Sequence, residues 1–153
     1  MALADVPPYL ALVASDREVL AIVTNGGRAA KRDVSDWQTT LVFYMACIYV
    51  KALGRLRGKD LQDHFQIKQW LNTTADLVLI AKPYRKLEDR SRDARYEGRR
   101  FATTEMEQHV LWFEIVRGAI ERLLRAGGVG GLPAVDVRLA VGLPPAPSPG
   151  ASP

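Results

Sequence analysis

Few side chains in this 153-residue chain have the types and spacing for chemistry, and they gather in two stretches. In the first, His64 follows the basic run Arg55, Arg57 and Lys59 and comes four residues before Lys68. An imidazole among cations is harder to protonate, which suits a general base or acid working near neutral pH. Arg57 and Lys68 are the cations that could hold a phosphate beside it. In the second stretch stand Arg92, Arg95 and Tyr96. The planar arginine fork is shaped for bidentate phosphate contact, and a neighbouring tyrosine can stack on a base. Each feature has a plainer alternative. His64 is also what a surface histidine at a helix start looks like, and Tyr96 could plug the end of a bundle.

The charge distribution points to the same region. The formal net charge is +4, yet residues 82–100 alone hold eight basic groups (Lys82, Arg85, Lys86, Arg90, Arg92, Arg95, Arg99 and Arg100) against four acids. A local excess of this kind attracts phosphates where an averaged surface would not, and its plainer reading is a solvated helix face with internal ion pairs.

Other chemistries find no support. Two histidines 45 residues apart and a single cysteine give no metal-ligand cluster, so neither a metal nor another cofactor is expected. No Gly-rich phosphate loop precedes a helix, and no nucleophile elbow is present. His109 falls between Met106 and Phe113 on an apolar stripe and reads as a packed, hydrogen-bonded histidine. Cys47, inside the apolar run Leu41–Val50, reads as a small core residue. That run has ten residues where a bilayer needs about 20. Asp16, Arg17 and Glu18 interrupt the apolar start, against a secretory leader. With one unpaired cysteine, the expectation is a cytoplasmic protein without a membrane segment.

The elements that must position these residues read as helices. At 48% hydrophobic and 25% charged, the composition is that of an ordinary globular domain. A first helix runs from about Pro8 to Val23 and ends near Asn25-Gly26-Gly27. A second covers 34 to 56, with Trp37, Leu41, Tyr44, Ile48 and Ala52 at steps of three and four, capped by Asp33 or Ser35. A short helix around Asp63 to Leu71 follows. Another spans about Thr74 to Tyr96, where Pro83 marks a kink or a first turn. Its residues Tyr84, Leu87, Ser91 and Ala94 share one face. A last long helix covers 105 to 126, capped by Thr103 or Thr104, with Met106, Val110, Phe113, Val116, Ile120 and Leu123 in one stripe. No strand alternation is visible. The expectation is an all-α bundle of four or five helices over residues 1–126, with 127–153 a flexible tail. Six of the nine prolines fall in the last 22 residues, after four clustered glycines.

The order of these features resembles the small prokaryotic HEPN-domain proteins. Asp36-Trp37 opens a long helix containing Phe43-Tyr44 and Tyr49-Val50-Lys51-Ala52. His64 follows a short loop, and Tyr84-Arg85-Lys86-Leu87 leads into Ser91-Arg92-Asp93-Ala94-Arg95-Tyr96. The likeness covers roughly residues 8 to 125. It implies a helical bundle, an RNA- or nucleotide-associated role and a homodimer. In its sharper form it implies a metal-independent RNase, the toxin-like half of a toxin–antitoxin pair with a cognate antitoxin-like partner. That family's usual motif is an arginine followed after four to six residues by a histidine. Arg57 and His64, with six residues between them, match it by spacing.

Three functions are therefore expected in competition. One is an RNase in which His64 is the acid or base and Arg57, Arg92 or Arg95 stabilises the phosphate. Another is an RNA- or nucleotide-binding module that does no chemistry. The third is a helical dimerisation protein whose arginines only pair with acids.

Overall fold

The computed structural model describes residues 3–146, and within them the chain is all α. After a one-turn 3-10 segment at Leu3–Asp5 come α1 (Pro7–Ala30), α2 (Ser35–Leu56), α3 (His64–Thr73), α4 (Val78–Glu97), α5 (Thr103–Ala126) and the short α6 (Val137–Ala140). The hub is α2, which packs against α1, α4 and α5, while α3 leans on α4 and α6 lies on α1 and α5. The bundle expectation holds at this level, with six helices where four or five were expected.

Centrality explains the composition of α2. Val42, Phe43, Met45, Ala46, Tyr49, Val50, Ala52 and Leu53 are all fully buried, so contacts surround most of the helix. The stripe expected from spacing is not the buried one, for Trp37 is 62% exposed and Tyr44 reaches the surface. Where a helix is apolar nearly all round, periodicity cannot choose its inner face. By length and apolarity α2 could also cross a bilayer, unlike the ten-residue run considered alone, although 67% of the qualifying stretch is buried against its neighbours.

Two helix ends differ from expectation for local reasons. Helix α1 passes through Gly26 and Gly27 and stops at Lys31, which takes the left-handed conformation (φ 53°). Gly27 is a contact residue rather than a stop. A Cβ there would come within 2.7 Å of Val34 Cγ2, so glycine lets the α1–α2 connection fold tightly back. In α4, Pro83 lies inside the second turn, so it neither opens the helix nor divides it. The caps also shift by a residue or so. Asp33 Oδ1 accepts from the Ser35 N–H (2.9 Å), and at the start of α5 Glu105 Oε2 accepts from the Ala102 N–H (2.9 Å), with no threonine cap.

Residues 127–146 are not a free tail. Val129, Val135, Val137, Ala140 and Val141 are buried, each valine contributing about 1.5–3 kcal/mol of apolar burial. Polar clasps reinforce them. Thr24 Oγ1 donates to the Ala140 carbonyl (2.6 Å), and Gln38 Nε2 donates to Thr24 Oγ1 (3.0 Å) and to the Val141 carbonyl (3.1 Å). Arg28 donates to the Gly142 carbonyl (3.1 Å), and Arg138 grips Glu107 on α5. Gly128, Gly131 and Gly142 take positive φ, so the glycines here bend the chain around the buried valines instead of releasing it. Pro147, Pro149 and Pro153 lie outside the described residues.

Candidate functional site

His64 is the first residue of α3, and that placement is local in origin. Asp63 caps the helix, its Oδ1 accepting from the Gln66 N–H (2.8 Å), while Gln66 Oε1 accepts from the Gln62 N–H (2.7 Å). The imidazole is thereby delivered to the junction of α2 and α4. Its ring centroid lies 5.3 Å from that of Phe43. Its Nδ1 lies 3.5 Å from Tyr84 Oη and 3.9 Å from Cys47 Sγ, and Tyr84 Oη is 3.0 Å from the same sulfur.

Charged groups ring this core. Lys68, one turn along α3, donates from Nζ to Glu88 Oε1 (3.0 Å), and Glu88 is only 4% exposed. Arg95 donates from Nε to the Ser91 carbonyl (3.3 Å) and from Nη1 to Tyr44 Oη (2.9 Å). Its guanidinium also lies over two rings, 5.5 Å from the Tyr44 centroid and 5.3 Å from the Tyr96 centroid. Two buried polar atoms in the same stretch of α4, Glu88 Oε2 and Ser91 Oγ, have no hydrogen-bond partner among the described residues.

The electrostatics follow from this arrangement. Burial lowers the His64 pKa below the ordinary 6.5; Glu88 pulls it back up, while Arg95, Lys51 and Lys68 push it further down. Position at the positive end of a helix acts in the same direction. The imidazole is thus neutral at pH 7, with a lone pair for a proton or a hydrogen bond. Burial drives the Cys47 thiol up to about 12 and the Tyr84 hydroxyl up as well, so both stay protonated and act only as hydrogen-bonding groups.

The expected site residues divide accordingly. His64, Lys68 and Arg95 do converge. Tyr96 joins them through Arg95, with a ring that is 76% exposed and free to stack. Arg57 does not converge. Its guanidinium forms a two-pronged pair with Asp76 (3.0 and 2.6 Å), and the charges bearing on His64 come from elsewhere. Sequence spacing brought Arg57 near, but the connection before α4 supplies a carboxylate that holds it. Arg92 is exposed and lines a shallow recess with Asp89, Asp93, Tyr96 and Glu97, three of the four being acids, and it is not among the charges that bear on His64.

Spacing alone missed Lys51, Tyr44, Cys47, Tyr84 and Glu88 as members of the cluster. A signal for them exists: Tyr84, Glu88, Ser91 and Arg95 recur every three or four residues on α4, as do Tyr44, Cys47 and Lys51 on α2. A polar stripe on a face that also carries core residues marks a buried polar cluster.

The second histidine behaves as expected. His109 is 1% exposed, its Nδ1 is 2.9 Å from Thr39 Oγ1, and Phe101 and Trp112 cover its ring. Burial lowers its pKa to about 4.

Of the basic residues in 82–100, Arg90, Arg99 and Arg100 are held by Asp93, Glu105 and Asp36. Lys82, Arg85, Lys86, Arg92 and Arg95 enter no ion pair among the described residues. The solvated-face reading thus accounts for part of the stretch, and five cations remain. Among the described residues no group of three or more His, Cys, Asp or Glu side chains could hold a metal ion. A larger recess, about 930 Å³ between α5 and residues 134–146, lies elsewhere, and the cations lining it, Arg117 and Arg138, are paired with Glu114 and Glu107. Chemistry, not size, therefore marks the site.

Fold and site together define an all-α bundle with a half-buried histidine–tyrosine–carboxylate cluster flanked by cations. No protein-family model matches the chain, no curated protein matches its sequence, and no solved structure matches its fold.

Proposed function

We propose that the protein is an RNA- or nucleotide-binding module, HEPN-like in architecture, whose phosphate-contacting surface runs from His64 past Lys51 and Lys68 to Arg95 and Tyr96. The observation that carries this reading is the position of a neutral His64 among Lys51, Lys68 and Arg95, with Arg95 stacked between Tyr44 and the exposed Tyr96. Cations that track a backbone beside an aromatic that stacks on a base are the ingredients of single-strand binding. The RNase form of the reading loses Arg57, which is committed to Asp76, and falls back on Arg95 as its phosphate-stabilising arginine. It is also supported by a histidine neutral at pH 7 and able to accept a proton. A homodimer and an antitoxin-like partner belong to the same proposal.

An RNA-binding titration run beside an RNA-cleavage assay in chelator, with wild type and His64→Ala, tests it. The binding reading expects salt-dependent complex formation with RNA left intact, and weaker binding by His64→Ala. Cleavage by wild type that disappears in His64→Ala would replace it with the nuclease reading. Absence of both binding and cleavage would sink both, leaving an interaction protein, whose oligomeric state light scattering would report.

A further inference from the structure

One turn along α3 from His64, a narrow recess opens between α3 and the first two turns of α4. It holds about 130 Å³, enough to admit a small anion such as one phosphate group. Lys68, Asn72, Val78, Ala81, Lys82 and Arg85 line it. Three of the six are cations, Asn72 adds an amide donor, and no carboxylate is among them.

The three cations are placed differently. Lys68 is fixed by its bond to the buried Glu88, and because an ammonium carries three donors, two remain for another acceptor. Lys82 and Arg85 are exposed, one turn apart on α4, and enter no ion pair among the described residues. An anion entering the recess would therefore meet one preset donor and two free ones. Arg85 could take two oxygens side by side.

We infer that this recess binds a phosphate monoester, and that its natural occupant is the terminal phosphate of an RNA strand whose following nucleotides reach the His64 surface. The second half rests on the RNA-binding reading above. A terminal monoester carries about −1.5 to −2 charges at pH 7 and has one covalent attachment, so it suits a small recess with three cations. An in-chain diester carries one charge and needs an exit on both sides.

The test compares two RNA oligonucleotides of one sequence, bearing either a 5′-phosphate or a 5′-hydroxyl, at fixed ionic strength. Wild type should bind the phosphorylated strand about tenfold more tightly, about 1.4 kcal/mol. In the double variant Lys82→Ala/Arg85→Ala the ratio should fall to about one while the hydroxyl strand binds as before. Both side chains are exposed, so this variant should fold, and circular dichroism would verify it. A ratio of one in wild type, or a preference that survives in the variant, overturns the assignment. Titration with inorganic phosphate, read by NMR at the Lys82 and Arg85 side chains, separates the two layers. If neither RNA binds yet phosphate shifts those signals, the RNA reading falls and the phosphate recess stands. If both RNAs bind equally and phosphate shifts nothing, the recess falls and the RNA reading stands.

Discussion

The two histidines of this protein occupy opposite kinds of site, and the contrast separates a working surface from a structural joint. His109 is enclosed. Thr39 satisfies one ring nitrogen, two aromatic rings cover the ring, and its depressed pKa comes first from burial. His64 is half-buried at a helix start, and its contacts with Tyr84 and Cys47 are long. A joint uses up its hydrogen-bonding capacity within the fold, whereas a binding surface keeps some in reserve. Flanking charge does not separate them: Arg95, Lys51 and Lys68 bear on His64 with Glu88 as counterweight, and Arg90 and Arg99 bear on His109 with Glu105 as counterweight, so exposure and hydrogen bonding carry the contrast.

The closed region should fail first when its supports are removed. On α2, Gln38 holds the 127–146 segment and its neighbour Thr39 holds His109. Ending the chain after Gly127 removes five buried side chains, four of them valines whose gross burial is about 6–12 kcal/mol. After the segment's ordering entropy is offset, the truncation should still lower stability by several kcal/mol in a urea titration. An unchanged midpoint would return that segment to the status of a free tail. His109→Ala should cost about 3 kcal/mol, from a cavity plus a lost hydrogen bond, against about 1 kcal/mol or less for His64→Ala. Equal losses would erase the distinction between the two sites.

Acid provides a graded version of the same comparison. The folded pKa of His109, about 4, lies below its unfolded value near 6.5, so between these limits the unfolded chain binds a proton that the native one refuses. Stability should be unaffected by this group above pH 6.5 and should fall by up to about 3 kcal/mol as pH drops towards 4. In His109→Gln that part of the pH dependence should vanish. A slope that persists would place the acid sensitivity elsewhere.

The smallest effect is the most specific to the site. Glu88 is the group that raises the His64 pKa, so Glu88→Gln should move the His64 titration, followed by NMR, to still lower pH. Movement upward would mean that Glu88 does not face the imidazole as described.

What could be read in advance depended on how local its cause was. The apolar stripe of α5 from Met106 to Ile120, the Asp63–His64 helix start and the shared face of Tyr84, Leu87, Ser91 and Ala94 arise within a turn or two and are present, although the α5 stripe closes on buried Leu124 and not on the expected Leu123. The buried fate of His109 followed from its neighbours on one stripe. Gly26-Gly27 and the Gly/Pro-rich segment misled because their roles depend on Val34, Thr24 and Gln38, partners brought by folding. The site divided for the same reason. His64, Lys68 and Arg95 carried visible chemistry, whereas the Arg57–Asp76 pair and the buried Cys47, Tyr84 and Glu88 became members only through the packing of α2, α3 and α4.

The most direct test of the central claim is the salt dependence of single-stranded RNA binding, measured by fluorescence anisotropy for wild type and for Lys51→Ala/Arg95→Ala. Each phosphate contact contributes about 0.7 to the slope of log K against log salt for a single strand. The account predicts binding that weakens with salt, and a slope shallower by about 1.4 in the double variant. RNA binding that ignores salt, or a slope that both proteins share, would contradict it.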